Sequence, residues 1–177
     1  IMLSKTYQRS SDGGSVSDSG NRLWARQNRR RLAAEPLRDA MLAYSGRLDQ
    51  SLGGASEDLT AKMQRRTIYA KVGRFDANET LSLFDHPNAA VTCEQRVITN
   101  VPLQKLFFLN SEIVAAEAAA LGKRMEKVGL ENSYQLLFQR APSETEVTAA
   151  RQFFNDGGSW AQYAQVLLST NEFAYVD

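Results

Sequence analysis

Six arginines crowd one short stretch and are the residues best placed to do chemistry. Arg22, Arg26, Arg29, Arg30, Arg31 and Arg38 all lie within residues 21–39, opposed only by Glu35 and Asp39. A guanidinium is a planar fork of donors that matches the paired oxygens of sulfate, phosphate or carboxylate. Read as a site, Arg29, Arg30, Arg31 and Arg38, with Trp24 beside them to stack on a ring, bind an anion. Its class would be a sulfated or uronic sugar, a phosphate or an acidic partner. Read as structure, Glu35 reaches Arg31 and Arg38 along a helix, Asp39 serves the neighbours of Arg38, and the run covers a solvated face or ties helices together. The structural reading is the expected one.

Other candidates are thinner. The single histidine, His86, stands in Asp85-His86-Pro87. A hydrolytic triad needs such a base with a Ser or Cys nucleophile and an orienting acid. Cys93 and Asp85 are near in sequence, yet there is no nucleophile elbow and no Gly-rich oxyanion loop. A histidine in a Pro-containing turn reads as a surface or capping residue. Cys93 is alone, which excludes an internal disulfide or a thiolate cluster, and it reads as a small buried apolar residue. No Cys-x-x-Cys, His-x-x-x-His or Asp-x-Asp-x-Asp-Gly spacing suggests a metal. Without Cys-x-x-Cys-His, no haem attaches covalently, so no cofactor is expected in this chain. Asp76 with Glu79, and Glu144 with Glu146, are carboxylate pairs by proximity only, and a glycosidase pair is diagnosed by separation. Trp24, Trp160 and Tyr175 are candidates to stack on a sugar, although Trp160 falls at core spacing.

The chain has 177 residues, 43% of them hydrophobic, and a formal net charge of +1. That suffices for one core and leaves no global field, which argues against a dedicated nucleic-acid binder. No apolar run approaches the roughly 20 residues that span a bilayer. Residues 1–20 read as an N-terminal remnant and a flexible Ser/Gly loop, and residues 21–177 as a single helical domain. The Ile1-Met2-Leu3 start fits the end of a buried helix, as if the chain began inside a longer one.

The elements that must position these residues are mostly helices. Leu37, Met41, Tyr44 and Leu48 share a helical face, with Pro36 and Glu35 in the first turn and Gly46 near the end. Thr67–Val72 is the best strand candidate, with Arg96–Thr99 as a weak partner. A brief helix is expected over Asn78–Phe84, and Asp85–Asn88 reads as a turn. Pro102–Leu109 should be a short apolar helix. Asn110 or Ser111 then caps a longer one carrying Val114, Ala118, Leu121, Met125 and Val128, stopped by Gly129. Tyr134, Leu137 and Phe138 face inward from the next. Ser143/Glu146 and Ser159/Gln162 are capping boxes that open two more helices. The result is mainly α: a compact array of about six helices with at most one short β-hairpin.

Several stretches in fixed order resemble a known family. They are Asn21-Arg22-Leu23-Trp24, Asn28-Arg29-Arg30-Arg31-Leu32-Ala33-Ala34-Glu35, Leu37-Arg38-Asp39-Ala40-Met41-Leu42, Ser45-Gly46-Arg47-Leu48, Gln95-Arg96 with Thr99-Asn100-Val101-Pro102-Leu103-Gln104, Phe107-Phe108-Leu109-Asn110-Ser111 and the terminal Leu167–Asp177. Together they resemble the planctomycete-specific C-terminal domain of large cytochrome-associated proteins, domain of unknown function fifteen fifty-three. The resemblance implies the back portion of that domain in an exported protein, periplasmic, envelope-bound or secreted, whose haem would lie elsewhere in the polypeptide. It implies other domains of that polypeptide as partners and supplies no reaction and no catalytic residue. The expected role is structural. The alternative is part of an anionic-polysaccharide-binding or carbohydrate-active site, including an oxidative one, centred on the arginines.

Overall fold

In chain order the elements are β1 (Arg30–Arg31), α1 (Ala34–Ser45), a 3-10 turn (Thr67–Tyr69), α2 (Glu79–Leu83), α3 (Pro102–Asn110), α4 (Glu112–Val128), α5 (Leu130–Phe138), α6 (Glu144–Asn155), α7 (Trp160–Leu168), α8 (Asn171–Ala174) and β2 (Tyr175–Val176). The computed structural model describes residues 1–12, 18–75 and 77–176. The centre of the Ser/Gly stretch (residues 13–17), Asp76 of the Asp76/Glu79 pair, and Asp177 lie outside the described residues. The fold is mainly α: 48% of the described residues are helical, and they form eight α-helices where about six were expected.

Helix α4 organises the core. Ser111 caps it by accepting from the Ile113 amide. Val114, Ala118, Leu121 and Met125 recur every three or four residues and are buried, while Val128, on the last turn before Gly129, is exposed. Gly122 lies on the side where α7 crosses. A Cβ at Gly122 would stand 2.7 Å from the Ala161 nitrogen, so the glycine allows the two backbones to touch. On the other side α1 brings in Leu37 and Met41. It ends at Gly46, whose φ of 79° gives the left-handed cap.

Side chains from neighbouring helices satisfy helix-end carbonyls. The Arg124 guanidinium donates to the Ala43 and Tyr44 carbonyls at the end of α1. Gln165 donates to those of Phe108 and Leu109 at the end of α3, at 2.9 and 3.0 Å. Each such bond closes orphan acceptors and fixes a crossing. The capping boxes at Ser143/Glu146 and Ser159/Gln162 form as the sequence indicates.

The β structure falls elsewhere than expected. Arg30 pairs with Val176 and Arg31 with Tyr175, an antiparallel ladder that closes the N-terminal arm onto the C-terminus. Thr67–Val72 forms no strand. Asp39 on α1 accepts from both the Thr67 amide (2.7 Å) and its hydroxyl (2.6 Å), which winds the chain into the 3-10 turn. Ile68 and Val72 are exposed, so only Ala70 of the alternating set is buried. Arg96–Thr99 is irregular because its ends are held by side chains: Arg96 by Glu35 and Thr99 by Asp85.

Candidate functional site

The arginine run divides into buried and exposed members. The Arg31 side chain is only 4% exposed. It donates to Asp85 Oδ2 and to the Thr99 and Leu32 carbonyls, and its guanidinium lies 5.3 Å from the centre of the Phe84 ring. Asp85 also accepts from the Thr99 amide and hydroxyl at 2.8 and 2.7 Å. Burial alone would raise the Asp85 carboxyl, but the Thr99 bonds and the Arg31 charge hold it below its ordinary value. Arg38 is buried too. It donates to the Met63 and Arg65 carbonyls and to the Thr67 hydroxyl, locking the irregular segment 63–67 against α1.

Arg29 and Arg30 face outward. Arg29 donates to the Ser11 hydroxyl and to Asp12 and lines a recess of about 630 Å³ with Arg140, Glu172 and Tyr175. Arg140 is occupied within the fold, making two bonds to Glu146 and two to Glu172. Trp24 is exposed, but it does not line that recess. The structure therefore does not bring Arg29, Arg30, Arg31, Arg38 and Trp24 to one place.

Glu35 departs from its expected partners. It reaches neither Arg31 nor Arg38 but takes a two-pronged bond from Arg96, at 2.8 and 2.9 Å. His86 Nε2 stands 3.5 Å from the same carboxylate. Burial would raise Glu35, yet the Arg96 bond and the charges of Arg96 and His86 bring it below its ordinary value. Cys93 is exposed rather than buried, and its thiol contacts the Gln95 carbonyl in the same irregular loop. Glu144 is exposed, and Glu146 is committed to Arg140 and the Ser143 amide.

A second recess, of about 370 Å³, lies between the start of α1 and the 66–72 segment. Glu35 and Asp39 reach it from successive turns of α1, Arg66 from the segment that Arg38 holds, and His86 from the turn that follows α2. Pro36 and Leu81 supply apolar wall. Arg66 and the convergence of these four groups were not legible in the sequence. Arg66 lies 27 residues beyond Asp39 with no periodic relation to it, and only the buried bonds of Arg38 and Asp39 bring that segment back onto α1. Among the described residues there is no cluster of His, Cys, Asp or Glu that could hold a metal, and no helix is long and apolar enough to cross a membrane.

These features define a mainly helical domain in which buried arginines hold long irregular segments on a helical core. The chain belongs to the family described as PSD1, protein of unknown function (DUF1553), whose model matches residues 1–154. No curated protein and no solved structure matches the chain.

Proposed function

We propose that this chain is the C-terminal assembly domain of a larger exported, cytochrome-associated protein, and that it packs against other domains of the same polypeptide. The observation that carries this reading is the outer face of α3. Leu103, Leu106 and Leu109 remain 62, 47 and 57% exposed while Phe108 behind them is buried. Leucines exposed together on one helix face mark a surface that a partner ordinarily covers. Covering these half-exposed leucines is worth about 1 kcal/mol each. A second copy meeting the same face gives about twice that sum, near the low end of the roughly 4–15 kcal/mol that free association costs. A tethered domain meets the face at millimolar effective concentration, about three decades above a free copy at micromolar concentration, which favours the tethered partner by about 4 kcal/mol. Hence the occupant is a segment of the same polypeptide with an apolar face of its own. In this reading the haem sits in the upstream module, and the buried arginines are structural.

The alternative, a site for anionic carbohydrate centred on the arginine run, would rest on Arg29 and Arg30. Arg29 shares its recess with Asp12 and Glu172, whose charges repel an anion.

Carbene footprinting tests the assembly reading. Leu103, Leu106 and Leu109 should label strongly in the 177-residue chain and at least several-fold less in the full-length protein. Equal labelling in both would sink the proposal.

A further inference from the structure

The turn over residues 18–26 presents two large apolar side chains to solvent. Leu23 and Trp24 are 80 and 66% exposed. Trp24 sits at φ 56°, a left-handed conformation that a bulky side chain adopts only where its surroundings hold it there. The surroundings do so. The Asp18 carboxylate accepts from the Arg22 and Leu23 amides, each at 2.9 Å. The Trp24 amide donates to the Asn21 carbonyl, and the Arg9 guanidinium donates to the Trp24 carbonyl. Asn21 is buried behind the turn, where its side chain donates to the Arg26 carbonyl and accepts from the Arg26 amide.

Two features define the surface that such a tip fits. The first is that the amides of Arg22, Leu23 and Trp24 are all bonded within the turn. Those amides can leave water for an apolar medium without being stranded, which is the condition that a lipid environment sets. A protein pocket, by contrast, would find no amide at the tip to bond with its rim. The second feature is charge. Residues 1–30 hold six cations and two carboxylates, +4 net, whereas the whole chain is +1, which leaves −3 for residues 31–177. The positive end of the chain therefore carries the tip. Arg26 is anchored on the Asp18 and Ser19 carbonyls and Arg9 on that of Trp24, so cations ring the two apolar side chains.

A small apolar anchor alone holds a protein to a bilayer only marginally, and firm attachment takes a second signal such as a basic patch. This turn supplies both. Leu23 and Trp24 are the anchor, and Trp is a side chain enriched at the boundary between headgroup and hydrocarbon. Arg9, Arg22 and Arg26 are the patch, which the charge of anionic headgroups attracts. We infer that the 18–26 turn docks on an anionic lipid surface, with Leu23 and Trp24 entering the interface and the surrounding arginines meeting lipid phosphates. The α3 leucines take no part in this contact, so it stands apart from the assembly reading.

The test is co-sedimentation of the 177-residue chain at low salt with two kinds of vesicle, phosphatidylcholine alone and phosphatidylcholine mixed with phosphatidylglycerol. The mixed vesicles should bind the chain, and the neutral ones should bind it ~10-fold more weakly or not at all. L23A/W24A, which removes the anchor, and R22E, which reverses a charge, should each weaken binding to the mixed vesicles ~10-fold. All three side chains are exposed, so an unchanged thermal melt shows that each variant is folded. Trp24 emission, read in a W160F background, should move to the blue with the mixed vesicles. Failure of the mixed vesicles to bind the chain overturns the inference and leaves a protein pocket as the occupant of the tip. Undiminished binding by L23A/W24A overturns it by placing the lipid contact elsewhere, on the α3 leucines for instance. Equal binding to neutral vesicles, or undiminished binding by R22E, overturns it by removing the role of charge.

Discussion

Arg31 and Asp85 meet at 2.5 Å across 54 positions of sequence, joining the strand that precedes α1 to the turn that follows α2. The pair sits at a junction of three segments, because Asp85 also holds Thr99 and Arg31 accompanies it to the Thr99 carbonyl. Gln104 extends the network by donating to the Leu83 carbonyl and the Thr99 hydroxyl. Residues 85–99 thus form a loop whose ends are tied together at the foot of α3 while its body, with Val91, Val97 and Ile98, stays exposed.

From that geometry, R31A should destabilise the chain by about 3 kcal/mol, since removing one partner strands the other charge in a mostly buried position. R31K should recover little of the loss, because an ammonium does not reproduce the forked contacts to Asp85, Leu32 and Thr99. Urea unfolding midpoints measure both. A loss under 1 kcal/mol for R31A would show that the junction is not held by this pair.

The α4–α7 crossing gives a second prediction. A methyl at Gly122 would lie 2.7–2.8 Å from backbone atoms of Trp160 and Ala161, none of which can rotate away. Although alanine is the better helix former by about 1 kcal/mol, G122A should be net destabilising by about 1–3 kcal/mol through overpacking. A rise in thermal stability on this substitution would contradict the close approach.

The helical half of the fold was legible because its signals are local. Ser143/Glu146 and Ser159/Gln162 announce helix starts within four residues, and the α4 stripe needs only a 3.6-residue period. The first half was not, because it is specified by side chains acting at long range. Thr67–Val72 has strand-like alternation, but Asp39, 28 positions away, takes its first amide. Glu35 is helix-adjacent to Arg31 and Arg38, yet it pairs with Arg96, 61 positions on. The arginine run was visible as charge, but whether each guanidinium points into the core depends on carbonyls such as those of Met63 and Arg65, whose placement no periodicity encodes. The recess depends on those same contacts and was invisible for the same reason.

Acid should loosen the C-terminal end through Glu146. The bonds from Arg140, together with those from Ser143, outweigh burial and hold its carboxyl at about 2, against an ordinary value of 4.5. A carboxyl depressed by folding contributes stability that is complete above its unfolded value and is lost as pH falls through the folded one. The Glu146 contribution is therefore full above about pH 4.5 and disappears on approach to pH 2. E146Q removes the titrating group, so its melting temperature should start lower at neutral pH and fall less steeply than the parent's across that window. Parallel curves for the two proteins would rule out the Arg140–Glu146 pair as the source.

The buried carboxylate of Glu117 permits a sharper test, because its two neighbours are unequally placed. Glu117 lies under α1 with 2% of its side chain exposed, accepting from the Ser45 hydroxyl and from Arg47 at 2.8 Å. Arg47 retains access to water, and Ser45 has a second acceptor in the Leu42 carbonyl. Removing Arg47 leaves a buried anion with one hydroxyl for company, so R47A should cost about 3 kcal/mol or more. In an E117Q background the same R47A change should cost only about 1 kcal/mol, since a neutral amide left behind has lost a hydrogen bond and not its counter-charge. E117M should be milder than R47A, because methionine fills the site without a charge while Arg47 turns to solvent and Ser45 to Leu42. Chemical denaturation of the parent, R47A, E117Q, E117M and the R47A/E117Q double variant supplies the cycle. If R47A costs the same in both backgrounds, the interaction between α1 and α4 at this point is packing and not charge.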